Sequence, residues 1–182
     1  MMRDRKRTDL PMSGRNPIVS RMEVNVRQAD LEDLDAIVAF GLAVIPPYYT
    51  PILGERAAQA QLAWWSLDRM APAVETNRVH IAARDRDVVG VCETGELADE
   101  QVIWKMYLAP EYRGRSLGVE LLRQAIASLP QGVDRVDVEH FAGNTRAAKF
   151  YEREGFKVIR TEPAPTGQSP NSAIVWRRRQ LR

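Results

Sequence analysis

The stretch Tyr107-Leu-Ala-Pro-Glu-Tyr-Arg-Gly-Arg-Ser-Leu-Gly118 decides the fold, because it joins an apolar strand-like run to an amphipathic helical pattern. The run over 102–108 precedes it, and leucine, alanine and isoleucine recur at helical spacing after it. Gly114 and Gly118 have no side chains, so an anion can come close to the free N–H groups of the first helical turn. Two side chains in the turn add positive charge, Arg113 and Arg115. This strand, turn and helix therefore predict a site for a phosphate group.

The turn differs from two common nucleotide-binding loops. A Walker A loop ends in Gly-Lys followed by Ser or Thr, and a dinucleotide fingerprint has three glycines near the start of its domain. The turn instead resembles the acetyl-CoA pyrophosphate loop of the GNAT family, the GCN5-related N-acetyltransferases, with the pattern Arg-x-x-Gly-x-Gly. Here it reads Arg113-Gly-Arg-Ser-Leu-Gly118, with Ser116 where the family usually has glycine. If the backbone there has a positive φ, serine costs about 1 kcal/mol.

A second segment resembles the other signature of this family, Asn-x-x-Ala-x-x-x-Tyr-x-x-x-Gly-Phe. It reads Asn144-Thr-Arg-Ala-Ala-Lys-Phe-Tyr-Glu-Arg-Glu-Gly-Phe156 and follows the first signature in the expected order. Its local pattern is consistent with a helix, since Asn144 or Thr145 can cap it and Gly155 can supply its left-handed C-terminal residue. On this ordered pair of motifs, the chain is identified as a member of the GNAT family.

The remaining pattern indicates a single α/β domain with a mixed sheet. A short strand at 24–27 precedes a helix within 27–41, and a proline-bounded loop leads to a second helix that contains 57–67. Further strands are predicted, in chain order, at 79–83 and 88–97, which form a hairpin, and at 101–108, 135–141, 157–160 and 173–178. The resemblance covers roughly 24–176. It implies the GNAT fold, a mostly antiparallel sheet that is splayed between its fourth and fifth strands and has helices on both faces.

Length and composition narrow the class of protein further. The chain has 182 residues, of which 45% are apolar, enough for one core of ordinary size. No run of 18 uncharged apolar residues suggests a membrane span, so we expect a soluble, cytoplasmic protein. The single cysteine, Cys92, cannot form an internal disulfide. With only His80 and His140 and no cysteine beside them, we expect no metal site.

The net charge of +2 is distributed unevenly along the chain. Residues 1–21 carry six Lys or Arg against two Asp, and residues 177–182 carry four Arg, so the segment between them is acidic. We expect residues 1–21 to be a disordered basic tail and residues 22–182 to be the acetyltransferase domain. Whether the tail belongs to the natural chain stays open.

The resemblance implies transfer of an acetyl group from acetyl-CoA, as co-substrate, to a primary amine within a ternary complex. Tyr151 resembles the general acid of the family, which protonates the CoA sulfur. Glu139 lies where the ribosomal-protein N-terminal acetyltransferases carry their carboxylate base, although this chain reads Val138-Glu-His-Phe141 instead of Leu-Glu-Val-Arg. The base is therefore Glu139 or one of its rivals, which are Glu93, Glu100, His140 and a water molecule.

The resemblance also assigns the residues that would hold the two substrates. The CoA-binding set would be Met106, Tyr107, Leu108, Arg113, Gly114, Arg115, Ser116, Leu117, Gly118, Val119, Asn144, Ala147 and Tyr151. Candidates for the acceptor wall are the aromatic residues Tyr48, Tyr49, Trp64 and Trp65, with at least one tryptophan expected in the core. The acceptor, a small molecule or a peptide N-terminus, is not determined by these residues.

Two other classes of function compete with the enzyme. Ser116 in the phosphate loop motivates a non-catalytic acyl-CoA-binding domain. The Arg-rich ends motivate a nucleic-acid-binding module, which is the less favoured alternative because the core has no basic face interleaved with aromatic residues. We expect no nucleic-acid or membrane partner, and leave open whether the chain is a monomer or a homodimer.

Overall fold

The computed structural model describes residues 23–181, which form a seven-stranded sheet of order β1-β2-β3-β4-β5-β7-β6. The predicted tail at 1–21 lies outside these residues. In chain order the elements are β1 (Asn25–Gln28), α1 (Leu34–Leu53), α2 (Glu55–Ala60), α3 (Leu67–Glu75), β2 (Val79–Arg84), β3 (Asp87–Leu97), β4 (Glu100–Leu108), α4 (Leu117–Ala127), β5 (Arg135–Phe141), α5 (Thr145–Arg153), β6 (Lys157–Glu162) and β7 (Ile174–Gln180). Short 3-10 turns lie at Leu31–Asp33, Gln61–Trp65, Pro110–Tyr112 and Pro170–Ser172.

The sheet divides between β4 and β5, its only parallel pair within residues 23–181. These strands are in register at two positions, Val102 with Asp137 and Ile103 with Val138. Beyond them β4 continues for five residues and β5 for three, and no further pair forms between the strands. All other neighbouring strands are antiparallel. The mixed, mostly antiparallel sheet splayed between its fourth and fifth strands is therefore confirmed.

Helices cover both faces of the sheet, as the resemblance implied. Tyr107 of β4 contacts Tyr49 of α1, whereas its neighbour Leu108 packs against Gly118 of α4. Because successive side chains of a strand point to opposite faces, α1 and α4 lie on opposite sides of β4.

The first helix is longer than the sequence analysis predicted. That analysis ended it by Gly41 and placed a loop at the prolines, but α1 continues to Leu53 with three prolines inside it. Each proline removes one helical N–H, which ordinarily ends a helix. Here the helix buries a continuous apolar face against the sheet, and this packing outweighs the loss. The buried face consists of Ile37, Phe40, Gly41, Val44, Ile45 and Tyr49.

The expectation that no apolar run is long enough to suggest a membrane span is wrong for the segment Leu31–Leu53. By length and composition alone it is apolar enough to cross a membrane. An 18-residue window of the segment is 28% buried, and the buried residues of the segment belong to the hydrophobic core of the domain. A core helix passes the same length test as a membrane span.

The predicted helix at 57–67 is in fact two helices with a 3-10 turn between them. The turn at Gln61–Trp65 places the Trp65 ring 6.0 Å from Phe40 and 5.5 Å from Tyr107, between ring centres. Trp65 is only 2% exposed, so burial of this large ring fixes the path of the chain. The other boundaries shift by one or two residues, and β5 lies where it was predicted.

We predict that Gly41→Ala destabilises the fold, although alanine is the better helix former. A Cβ on Gly41 would lie 2.4 Å from two carbon atoms of the buried Trp65 ring, which has no free space to move. The free energy of unfolding should fall by about 1–3 kcal/mol, as in other overpacked cores. Urea denaturation measures it, and adding Trp65→Leu should relieve the clash. A Gly41→Ala variant as stable as wild type would contradict this packing.

Candidate active site

The splay between β4 and β5 opens into a cavity of about 730 Å³. Its walls come from the end of α1, the second half of β4, the loop before α4, the end of β5 and the first turns of α5. Every residue of the predicted CoA-binding set lines this cavity except Arg115 and Leu117. Arg115 is exposed and Leu117 packs against the core. Two signatures separated by some thirty residues of sequence therefore face one space.

The loop before α4 has the geometry of an anion site. Ser116 is the residue before the helix and has a φ of 63°, in the left-handed region, so the strain expected there is present. Its carbonyl accepts the N–H groups of Val119 and Glu120, but its side chain makes no capping hydrogen bond. The N–H groups of Leu117 and Gly118, which precede Val119 in α4, have no backbone partner within residues 23–181, and they are available to an anion.

Arg113 holds a fixed position beside this loop. Its Nε donates to the carbonyl of Leu108 at 3.1 Å, and its guanidinium lies 5.1 Å from the centre of the Tyr48 ring. Burial lowers the pKa of Arg113, and the positive charge of Arg146 lowers it further. Two cations thus lie near each other at the cavity, an arrangement that an anionic ligand would relieve.

Asn144 connects two walls of the cavity, α1 and α5, through one oxygen. Its Oδ1 accepts the N–H of Ala147 at 3.1 Å, which caps α5, and the hydroxyl of Tyr48 at 2.6 Å. Burial raises the pKa of Tyr48, so this hydroxyl stays protonated and remains a donor. Both lone pairs of Oδ1 are thereby occupied, and the Asn144 side chain also acts on the Tyr49 hydroxyl, where burial raises the pKa and Asn144 opposes that rise.

Tyr151 lies at the inner wall of the cavity and is 5% exposed. Its ring stacks on His140 with centres 6.1 Å apart and packs edge-on against Phe150 and Phe156. Burial raises its pKa well above the ordinary value, and the nearby thiol of Cys92 raises it further. Burial likewise raises the pKa of Cys92. The Tyr151 hydroxyl has no hydrogen-bond partner within residues 23–181, so it keeps its proton and can donate it to a ligand.

Glu139 contributes the one carboxylate that lines the cavity in the described part of the chain. It is half-buried, and burial raises its pKa, with a further rise from the charge of Glu162 and an opposing effect of Arg160. A carboxylate with a raised pKa is a stronger base than an ordinary surface carboxylate.

The three side chains that rival Glu139 as the base are all engaged elsewhere. Glu93 forms a buried ion pair with Lys105, and Glu100 accepts two hydrogen bonds from Arg135, both at 2.8 Å. Neither residue lines the cavity. His140 does line it, but both its ring nitrogens have partners and burial lowers its pKa. These partners are the carbonyl of Phe141 at 2.9 Å and Nε of Arg177 at 3.0 Å.

The aromatic candidates for the acceptor wall separate into two groups. Tyr48 and Tyr49 line the cavity, whereas Trp65 is buried in the core, as expected for at least one tryptophan. Trp64 is 54% exposed and lies outside the cavity. The sequence analysis missed Trp104, which lines the cavity and contacts Trp176 edge-on. Its position on the predicted strand, two residues before Met106, was the available signal.

Comparisons with known proteins agree with this geometry. Residues 75–158 match the acetyltransferase (GNAT) domain family, and a search of curated proteins finds no significant match. The fold is similar to that of PaiA N-acetyltransferase from Thermoplasma acidophilum in complex with coenzyme A. The TM-score is 0.73 and the identity 20%, over 88% of this chain and 100% of that one.

Two further solved structures share the fold. An acetyltransferase of the GNAT family from Bacillus cereus has a TM-score of 0.67 and 18% identity, over 88% of this chain and 99% of its own. An acetyltransferase of the GNAT family from Staphylococcus aureus has a TM-score of 0.66 and 17% identity, over 88% of this chain and 100% of its own. The domain match and the splayed sheet around one cavity agree with both sequence signatures. Residues 75–158 of this chain are therefore similar to the GNAT acetyltransferase domain, and they lie within a fold that solved GNAT acetyltransferases share.

Proposed function

We propose that this protein is an N-acetyltransferase that moves the acetyl group of acetyl-CoA to a primary amine, by direct attack in a ternary complex. The observation that carries the proposal is the cavity at the splay, where the phosphate loop, Tyr151 and Glu139 face the same space. The coenzyme A complex of the PaiA relative supports an acyl-CoA in this position. The acceptor is a small molecule or a peptide N-terminus.

The geometry supports a specific path for CoA through the cavity. The diphosphate would lie on the free N–H groups of α4, close to Arg113. The pantetheine arm would run along β4 from Leu108 towards Ile103. Between these two residues, at 104–108, β4 has no partner on its β5 side. There its amides can pair with the strand backbone as an additional strand would. This path brings the thioester towards Tyr151.

The chemistry requires one proton to leave the amine and one to reach the sulfur. The neutral amine attacks the thioester carbonyl, and the C–S bond of the tetrahedral intermediate then breaks. Glu139 would accept the amine proton, directly or through water, and the Tyr151 hydroxyl would donate to the departing thiolate. A phenol with a raised pKa is a weaker acid than a thiol. Its contribution is therefore a hydrogen bond that strengthens as charge develops on the sulfur, and the thiolate then takes its proton from water.

A non-catalytic acyl-CoA-binding domain remains the second candidate, since Ser116 strains the phosphate loop. Turnover separates the candidates. We would screen polyamines, aminoglycosides, amino acids and peptide N-termini with acetyl-CoA and follow release of free thiol. Acetyl-CoA binding without turnover of any amine would favour the second candidate. A cytoplasmic location and the absence of nucleic-acid and membrane partners are parts of the same proposal.

The phosphate site can be tested at Ser116, whose side chain is exposed at the cavity. Asn and Asp both tolerate the left-handed backbone, so Ser116→Asp and Ser116→Asn differ mainly in charge. The aspartate should lower acetyl-CoA affinity by about 10-fold or more, because it places a negative charge against the diphosphate. The asparagine should bind nearly as wild type. Isothermal titration calorimetry measures both, and equal affinities would remove the diphosphate from this loop.

Tyr151→Phe should lower kcat by about 10²-fold while acetyl-CoA affinity stays close to wild type. Phenylalanine keeps the stacking on His140 and the contacts with Phe150 and Phe156 and removes only the hydroxyl. Steady-state kinetics with an accepted amine, together with the melting temperature, measures the effect. A change in kcat below about threefold would make the hydroxyl structural, with solvent protonating the thiolate.

Glu139 should appear in the pH profile of the reaction. Since its pKa is raised, kcat/KM should rise with pH as the carboxylate ionises, with an apparent pKa above the ordinary 4.5. Glu139→Gln should lower kcat/KM and abolish that acid limb, whereas Glu93→Gln, in its buried ion pair, should retain it. Stopped assays across the pH range measure both profiles. An unchanged profile in Glu139→Gln would assign the base to another group.

A further inference from the structure

The wall of the cavity formed by α5 carries a group of positive charges. Arg146, Lys149 and Arg153 all line the cavity, at spacings of three and four residues. This spacing places them on one face of the helix, which we call the α5 basic face. Together with Arg113 they make four cationic side chains on a cavity whose one carboxylate, within the described residues, is Glu139.

The α5 basic face is not explained by pairing within the protein. Arg146 and Lys149 have no hydrogen bond or ion pair within residues 23–181, whereas Arg153 lies 3.3 Å from Glu154 and stacks on Phe150. Like charges three and four residues apart repel, at a cost of about 0.2–0.5 kcal/mol per pair. A helix that needed only solvation would gain from carboxylates at these positions. The arrangement favours an anionic ligand group that lies against the α5 basic face, in addition to one at the loop before α4.

The α5 basic face is continuous with the phosphate loop. The positive charges of Arg113 and Arg146 both lower the pKa of Tyr48, against the larger effect of burial, so both guanidinium groups lie near this side chain. From Arg146 the face extends along the helix for about 10 Å, at 1.5 Å per residue. A ligand can place its diphosphate at Ser116. The group attached to the far side of that diphosphate then lies next to Arg146 and Lys149.

We propose that Arg146 and Lys149 bind the 3′-phosphate of the CoA ribose, so that the protein distinguishes CoA from ligands that lack this group. The inference rests on the proposed function, because it takes CoA as the occupant of the cavity. The 3′-phosphate is a terminal dianion next to the diphosphate, and two cationic side chains without internal partners match its charge. The adenine needs no contact in this arrangement.

The test varies the ligand and the protein together. Dissociation constants of acetyl-CoA and 3′-dephospho-acetyl-CoA are measured by calorimetry at fixed ionic strength, for wild type and for the Arg146→Gln, Lys149→Gln double variant. Wild type should bind acetyl-CoA at least about 10-fold more tightly than the dephospho ligand. The double variant should lose this preference by binding acetyl-CoA more weakly, with unchanged affinity for the dephospho ligand.

A matched control and a melting curve exclude indirect effects. Arg123→Gln removes an exposed arginine from α4 that pairs with Glu120 and does not line the cavity, so the preference for acetyl-CoA should remain. The double variant should melt no lower than wild type, because it relieves a like-charge pair.

Three results would overturn the proposal. Equal affinity of wild type for both ligands would show that the 3′-phosphate makes no contact. An equal loss for both ligands in the double variant would place the two side chains on the diphosphate instead. In each of these cases acetyl-CoA still binds, so the proposed function stands. Failure of wild type to bind either ligand would overturn both this inference and the CoA site.

Discussion

The cavity depends on how briefly β4 and β5 pair. Two register positions join the halves of the sheet, and beyond Ile103 and Val138 the strands separate. A longer ladder would close the space and satisfy the strand backbone internally. A shorter one would leave the halves of the sheet without a shared core. The open edge therefore provides both the shape of the cavity and backbone groups that a ligand can use.

Hydrogen bonding holds the separated parts in place around that opening. The Asn144 side-chain oxygen joins the end of α1, through Tyr48, to the first turn of α5. Tyr48 in turn lies under the guanidinium of Arg113, which is bonded to the end of β4. A single series of polar contacts thus links the end of α1, the loop before α4, the end of β4 and the helix that carries Tyr151.

The sequence predicted those parts whose cause is local. The strand at 135–141, the cap at Asn144 and the left-handed Gly155 each follow from residues close in sequence, and the structure has them. The course of α1 and the turn at Trp65 depend on packing partners far along the chain, so the loop at the prolines and the single helix at 57–67 were predicted wrongly. The pairings of Glu93 and Glu100 likewise require the fold, and with them the choice among candidate bases. The charges on α5 could be read from the sequence, but the absence of partners for Arg146 and Lys149 within residues 23–181 could not.

Burial of Cys92 has a practical consequence for work on this protein and for testing the proposed activity. It is the one cysteine in the sequence, it is fully buried, and its raised pKa keeps it as an unreactive thiol. A thiol reagent added during turnover therefore reports coenzyme released by the reaction, with little background from the folded protein. The same reagent without substrate reports unfolding, because Cys92 becomes accessible only when the sheet around it opens. One chemical probe can thus follow catalysis and conformational integrity separately.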